Sequence, residues 1–422
     1  MKLLYYQDSN GNFGDDLNLW LWPKLMPGVL DDDGRCLFLG IGSILSRRMN
    51  IPARPLKLAF GCGVGYGEPP DIDERWKIYC VRGPLSAAAL KLSPSIAVTD
   101  AAVLIRRFTP PLQAKKHRAI FMPHHRSLIR AQIQGVDLRR VCEDAGIFYV
   151  DPSVPVEEVL QAIAQTGVVI AEAMHVAIVA DAMRVPWIPI RFYDHILDFK
   201  WKDWTSSLQL DYQPVLCSSA DMDRSGSMIV MIKKTLKEAC PILSSASIFE
   251  QVAGRLEEKF EEFLADHRSG KLAALSQCKD AAEETAASQP ISAGGNQDEH
   301  EVWLKRVLNS AQTISQFILP QESFILADGD EFMTGGVLGG RRVFPFLEEN
   351  GQYAGAPADD DAAIEELKRL RGSGAKYLVF AWPAFWWLEH YLDFFRHVRS
   401  RFRCLLENER VLIFDLREET SQ

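Results

Sequence analysis

The chain has 422 residues, 47% of them hydrophobic, and a formal net charge of −9. That length holds two or three domains with sizeable cores, and the acidic balance argues against general nucleic-acid binding, although Arg106-Arg107 and Lys115 to Arg118 suit one small anion. The eight cysteines form no CxxC pair, so neither a zinc knuckle nor a thioredoxin motif is indicated.

The N-terminal stretch MKLLYYQDSNGNFGDDLN runs from an apolar strand through a polar turn into a helix. In open α/β sheets ligands bind at such junctions. Gly11 and Gly14 permit a tight backbone, Asn12 offers an amide, and Asp15 and Asp16 offer carboxylates. The alternative is an ordinary capped helix N-terminus.

Residues 1–112 read as a Rossmann-like lobe. Strands are expected at Lys2–Tyr6, Arg35–Leu39, Leu56–Phe60, Lys77–Val81 and Ile96–Val98, each short and apolar as buried parallel strands are. Small or polar residues follow each one. Pro84 fits the first turn of a helix that continues through Leu85 to Leu90. Residues 113–265 read as a second such lobe. Its strands are Arg118–Met122, Gly146–Val150, Val168–Ala171 and Trp187–Ile190, and its helices Val156–Gln165 and Val176–Met183. The charged amphipathic helix Phe249–Phe263 trails it. The expected class is α/β, with two Rossmann-like lobes facing across a cleft.

Residues 266–301 lose periodicity and read as a linker. Residues 302–422 form a small C-terminal α/β domain. It has strands at Ser323–Ala327 and Lys376–Ala381, a helix at Asp361–Arg371 and an aromatic-rich helix at Pro383–Val398. A hairpin is formed by Arg403–Leu406 and Arg410–Leu416. Phe385-Trp386-Trp387 either stacks on sugar rings or packs in a core.

The candidate functional residues share one location. Asn12, Asp15, Ser43, Arg82, Asp100, His124, His125, Arg126, Glu172 and His175 all follow a strand end, and those ends line one rim of a doubly wound sheet. The mix of cations, imidazoles and carboxylates suits a polyanionic small substrate plus acid–base chemistry. His175 lies in the apolar run IAEAMHVAIVADAM, as a core histidine or as one oriented by Glu172. His124-His125-Arg126 is the densest cationic cluster at a strand end, without the acidic spacing of a metal site. The glycines at 40, 42, 61, 63, 65 and 67 lack GxGxxG spacing. They are read as letting backbone approach a ligand or a neighbouring lobe.

Five blocks together carry a resemblance: NFGDDLN, GIGSIL, VRGPLSA, VTDAAVL and EAMHVAIVADAMRVPWIPI. Over about residues 1–240 the chain resembles the polysaccharide pyruvyl transferases, nearest to the bacterial succinoglycan-type ketal pyruvate transferases. The resemblance implies a GT-B-like pair of lobes. It also implies transfer of a pyruvyl ketal from phosphoenolpyruvate to two hydroxyls of one sugar. Carried over are Asn12, Gly14, Asp15, Arg82, Asp100 and His175. Many members have an arginine where this chain has Ala173, and a small residue where it has Val176.

On this reading His175, Asp15 and Asp100 are catalytic, with His175 as acid. Arg82, Arg126, His124, His125, Ser43 and Glu172 bind the donor, and Asn12 and Asp16 the acceptor. No cofactor or metal is expected. The acceptor is an exopolysaccharide, a surface glycan or its lipid-linked precursor, which would draw the protein to the inner membrane periphery. A strand opening the chain and the absence of a transmembrane-length run lead to an expectation of a cytoplasmic protein without a signal peptide. The rival readings are a nucleotide-sugar glycosyltransferase and a non-catalytic glycan-binding scaffold. The C-terminal unit resembles a domain of bacterial glycosyltransferase-type proteins, with no activity implied.

Overall fold

The computed structural model describes residues 1–7, 11–49, 51–65, 67–111, 113–133, 135–192, 196–216, 225–280, 307, 309–328, 338, 341–349, 352–353, 355–385, 387–408 and 410–419. The chain divides into two compact units, Met1–Leu128 with Val136–Gly294, and Ile129–Gly135 with Gly295–Gln422.

The first unit contains two parallel sheets. Strands β1 (Lys2–Leu4), β2 (Cys36–Leu39), β3 (Leu56–Phe60) and β4 (Trp76–Cys80) pair in chain order. Every residue of β3 is buried, as in a strand covered on both faces. The second sheet contains β5 (Ile120–Met122), β6 (Phe148–Tyr149), β7 (Val169–Ala171), β8 (Trp187–Arg191) and β9 (Val215–Leu216). Its order is β6-β5-β7-β8-β9. The order reverses at β5, so the loops leaving β5 and β7 diverge, and in open α/β sheets ligands bind at such a switch point.

The helices are α1 (Phe13–Leu25), α2 (Pro84–Ala89), α3 (His125–Ile133), α4 (Leu138–Ala145), α5 (Val156–Ala164), α6 (Met174–Ala182), α7 (Asp198–Ser207), α8 (Ser225–Glu238), α9 (Ala246–Arg268) and α10 (Lys271–Asp280). Helix α1 packs on α5 and α6, and α6 packs on a 3-10 helix at Ala101–Arg107. These contacts join the two sheets through one continuous apolar core. Trp22, Phe38 and Phe60 lie at its centre, fully buried.

Two expectations are corrected here. Ile96–Val98 is not a strand. Ser93 caps a 3-10 turn at Pro94–Ile96 instead, leaving a single bridge between Val81 and Ala97. Helix α9, read as trailing the second lobe, covers the first sheet. Phe260 lies 5.6 Å from the ring of Phe60, and Phe263 lies 5.2 Å from that of Phe38. Tyr79 donates to Asp266 at 2.9 Å and so fixes the end of α9. Burying each such ring is worth about 1.5–3 kcal/mol. Of the stretch read as a linker, Lys271–Asp280 is helical, and 281–301 lie outside the described residues.

The second unit is a mixed sheet. Its strands are β10 (Ser323–Ala327), β11 (Arg342–Pro345), the small pair β12 (Glu348–Glu349) and β13 (Gln352–Tyr353), then β14 (Tyr377–Ala381), β15 (Phe402–Glu407) and β16 (Val411–Glu419). The five-stranded order is β11-β10-β14-β16-β15, with β15 and β16 as an antiparallel hairpin. The aromatic-rich helix expected over Pro383–Val398 is broken into a 3-10 turn at Trp382–Ala384 and helices at Trp387–His390 and Leu392–Arg401. Trp387 is fully buried and packs on Phe346 at 5.4 Å. Trp386 lies outside the described residues.

Candidate active site

The turn after β1 is held by its own side chains. Asn12 caps α1, accepting from the Gly14 amide at 3.3 Å. Its amide donates to Asp15 Oδ2 at 2.6 Å, and its backbone N–H donates to Asp16 Oδ2 at 3.1 Å. Carboxylates at a helix N-terminus also meet the positive end of its dipole. The Phe13 N–H donates to the Pro152 carbonyl at 2.8 Å, which ties this turn to the loop after β6. Asn18, fully buried one turn later, clamps the loop after β2. It donates to the Ile41 carbonyl at 3.0 Å and accepts from the Ile41 N–H at 2.9 Å.

Arg82, at the end of β4, is fully buried. Its Nε donates to Asp203 Oδ2 at 3.0 Å, its Nη1 to Ser43 Oγ at 2.8 Å and its Nη2 to the Val64 carbonyl at 2.5 Å. The glycines of GCGVGYG make room for this network. A Cβ on Gly63 would lie 2.4 Å from the Arg82 guanidinium carbon, and one on Gly65 would lie 2.4 Å from Ser43 Cβ. Gly61 does the same for Ala101, at 2.7 Å. The glycine run thus admits neighbouring protein groups. Arg82 and Ser43 are bonded to each other, and the charge of Arg82 is matched by Asp203.

In the second sheet the reversal between β5 and β7 brings His124, His125, Arg126, Glu172 and His175 to neighbouring loops. Glu172 is fully buried. It accepts from the His124 N–H at 3.0 Å and from the Phe192 N–H at 2.8 Å, so it laces together the ends of β5, β7 and β8. His124 Nδ1 accepts from the Arg126 N–H at 3.3 Å, and the two histidine rings lie 4.4 Å apart. Burial holds the His125 imidazole well below its usual range, helped by the charges of Arg126 and Lys200. The pair is therefore neutral at His125 rather than a cationic cluster.

His175 sits in the first turn of α6 and reaches to the start of α1. Its ring packs over Gly14, where a Cβ would lie 2.1 Å from Nδ1. Its Nε2 lies 3.8 Å from Asp100 Oδ2. Asp100 is fully buried, and its Oδ1 accepts from the Ala102 N–H at 2.9 Å as the cap of the 3-10 helix. Asp100 Oδ2 and His175 Nε2 are both buried without a hydrogen-bond partner. Burial raises the Asp100 carboxyl to about 6, against the pull of Arg82. Burial lowers the His175 imidazole to about 3, with Lys200 and Arg82 adding to it. Two buried titratable atoms face each other at a gap too long for a direct bond. A ligand hydroxyl or a transferred proton suits that gap.

The structure therefore brings His175, Asp100 and Gly14 together, with Asn12 and Asp15 on the adjoining turn. The sequence reading missed Lys200 and Asp203, which lie three residues apart on α7. Lys200 is 7% exposed and Asp203 fully buried. Their signal was a helix, DFKWKDWTSS, whose charges alternate with the buried Trp201 and Trp204. Among the described residues no three of His, Cys, Asp and Glu are grouped to hold a metal ion, and no helix is long and apolar enough to cross a membrane.

A family model described as polysaccharide pyruvyl transferase matches residues 43–194. The succinoglycan biosynthesis protein ExoV of Rhizobium meliloti (strain 1021) is 38% identical over 218 residues, which are 51% of this chain and 67% of that protein. The matched residues of the family model run from Ser43 through Arg82, Asp100 and His175 to three residues past the end of β8.

Proposed function

The chain belongs to the polysaccharide pyruvyl transferase family, and from that premise we propose that it moves a pyruvyl group from phosphoenolpyruvate onto two hydroxyls of one sugar as a ketal. The acceptor is an exopolysaccharide or its lipid-linked precursor, met on the cytoplasmic side of the membrane. The name of the relative, a succinoglycan biosynthesis protein, supports a polymer acceptor. The two parallel-sheet lobes act as a GT-B-like pair with the donor in the cleft between them.

The observation that carries this reading is the buried His175–Asp100 pair with its two unpartnered atoms. The donor lies at the β5–β7 crevice. There Arg126, His124, His125 and the uncapped N-terminus of α6 at Ala173 offer charge and N–H donors to its phosphate and carboxylate. Arg82 acts on the site through Ser43 and through its field on Asp100, because its own guanidinium is occupied by Asp203. Glu172 acts through the two loop amides it holds. Asn12 and Asp16 line the acceptor side, and Asp15 orients the acceptor from its place beside Asn12.

Chemically, a sugar hydroxyl adds to the enol carbon of the donor while the methylene carbon gains a proton. The imidazole of His175 is neutral at pH 7, so it takes the hydroxyl proton. This is the base role, the reverse of the role expected from the sequence. Asp100, whose raised pKa keeps part of it protonated near neutrality, supplies the proton to the methylene and is recharged from His175. An incoming polyanion raises the Asp100 pKa further and brings that of His175 back up, because negative charge favours each protonated form. The second hydroxyl then attacks the same carbon, the carbon–oxygen bond to phosphate breaks, and phosphate leaves with the second hydroxyl proton. Phosphate release from phosphoenolpyruvate, measured with and without a pyruvate-stripped polysaccharide, tests this reading. Acceptor-dependent release supports it, and turnover with nucleotide sugars alone overturns it.

A further inference from the structure

We propose that Asn18 is a positioning residue for the acceptor: its buried carboxamide locks the loop after β2 onto α1 and so sets where Asp15 and Ser43 stand relative to each other. This inference rests on the ketal-transfer reading above and deepens it on the acceptor side.

An amide side chain offers two N–H donors and an oxygen that accepts twice. Asn18 uses all four. Its Nδ2 donates to the Ile41 carbonyl at 3.0 Å and to the Asp15 carbonyl at 3.1 Å. Its Oδ1 accepts from the Ile41 N–H and from Trp22 Nε1, both at 2.9 Å. The side chain is fully buried, where a bond left unmade is costly. The two bonds to Ile41 engage its N–H and its C=O together, as a paired strand would. Aspartate has the shape without the donors, and leucine has neither donor nor acceptor.

The residues on either side of this clamp are those of the site. Asp15, three residues earlier on α1, shares a helix face with Asn18, and its carbonyl is held by the Nδ2 bond. Gly14, next to it, lies under the His175 ring. On the loop, Ile41 leads through Gly42 to Ser43, whose Oγ accepts from Arg82 Nη1 at 2.8 Å. Gly42 has a φ of +125°, and a Cβ there would lie 3.7 Å from Asp15 Oδ1, so loop and helix meet at Asp15 itself. The Gly63 N–H donates to the Gly42 carbonyl at 3.0 Å, which ties the same loop to the glycine run after β3. Gly40 completes the fit, since a Cβ there would lie 2.3 Å from Trp22 Nε1. Being fully buried, Asn18 acts through Asp15 and Ser43. A core asparagine with a folding role alone would set stability; one that sets this gap also sets the KM of the acceptor.

The test uses the full chain with phosphoenolpyruvate and a pyruvate-stripped exopolysaccharide. Wild type, Asn18→Asp and Asn18→Ser are compared with Phe263→Leu, a core variant that loosens packing on Phe38 and Tyr79. Thermal melts give stability, steady-state phosphate release gives kcat and the acceptor KM, and calorimetry gives donor affinity. Misplacing a positioned group by about 1 Å can cost about 10²-fold, so kcat/KM for the acceptor should fall by that order in Asn18→Asp, with a raised KM and unchanged donor affinity. Phe263→Leu should lose stability with its acceptor KM unchanged, which separates positioning from folding. Gly40→Ala pushes the same loop from the other side. It should resemble Asn18→Asp, and it carries the test where the Asn18 variants do not fold. A wild-type acceptor KM in a folded Asn18 variant overturns the proposal. Absence of acceptor-dependent release by wild type overturns the transfer reading instead. Amide hydrogen exchange over residues 40–45 then decides whether Asn18 holds the loop, and exchange as slow in the Asn18 variants as in wild type overturns that too.

Discussion

His175 Nε2 lies 3.8 Å from Asp100 Oδ2, and each atom is buried with no hydrogen-bond partner. The pair joins the two parallel sheets of the first unit, since His175 opens α6 behind β7 while Asp100 caps the 3-10 helix of the first sheet. Replacing His175 by Ala should leave the fold intact and lower turnover about 10²–10⁴-fold, the range for a general acid or base. Asp100→Asn should do the same, and the double variant should be little worse than either, because residues acting as a unit are non-additive. Steady-state phosphate release for the three variants checks this. Multiplicative losses would mean that the two residues act separately.

Gly14 tests the geometry from the opposite side. A Cβ at this position would lie 2.1 Å from His175 Nδ1. Gly14→Ala must therefore push the imidazole away, costing about 1–3 kcal/mol as overpacking does and lowering turnover toward the level of His175→Ala. A thermal melt and an activity assay on one preparation decide it. An alanine variant of normal activity would show that the ring position is not critical.

Stability should depend on pH through both groups, with opposite signs. His175 is held at about 3, below its usual 6.5. Between those values the unfolded chain binds more protons than the folded one, so stability rises with pH and is lost on acidification. Asp100 is raised from 3.8 to about 6. In that window the folded protein binds more protons, so stability falls as pH rises. Each effect is at most about 1.4 kcal/mol per pH unit. Urea midpoints from about pH 3 to pH 8 should show a flatter acid limb in His175→Ala and a steeper one in Asp100→Asn. The same slope in all three proteins would contradict the burial argument.

The Arg82–Asp203 pair is wholly buried. Removing one partner leaves an uncompensated charge, so Arg82→Met or Asp203→Leu alone should destabilise by about 3–5 kcal/mol. The double variant should recover part of that loss, which equilibrium unfolding can measure. Additive losses would mean that the hydrogen bonds to Ser43 and Ser86 matter more than the pairing of charge.

Much of this site was legible because short apolar runs mark buried parallel strands, and polar residues placed after such runs fall on one rim. His175 and Asp100 were singled out as candidates that way. What sequence could not supply was partnership across distance. Arg82 reads as a free anion-binding cation until Asp203, 121 residues later, is seen to hold it. Glu172 reads as the carboxylate that orients His175, yet its oxygens accept from the His124 and Phe192 amides. Lys200 and Asp203 were hidden in a helix whose apolar face is made of tryptophans, where two charges look like a solvated edge. Ile96–Val98 has strand composition, but Ser93 and Pro94 set a 3-10 turn before it. The aromatic run after β14 was read as one helix, although its residues close the core in three separate segments.

The most direct measurement is proton NMR of a pyruvate-stripped exopolysaccharide after incubation with the full chain and phosphoenolpyruvate, with phosphate followed in parallel. The account predicts a new ketal methyl signal that grows one-for-one with phosphate and forms about 10²–10⁴-fold more slowly with His175→Ala. Phosphate release without a ketal signal, or a ketal formed equally well by the His175→Ala protein, would contradict it.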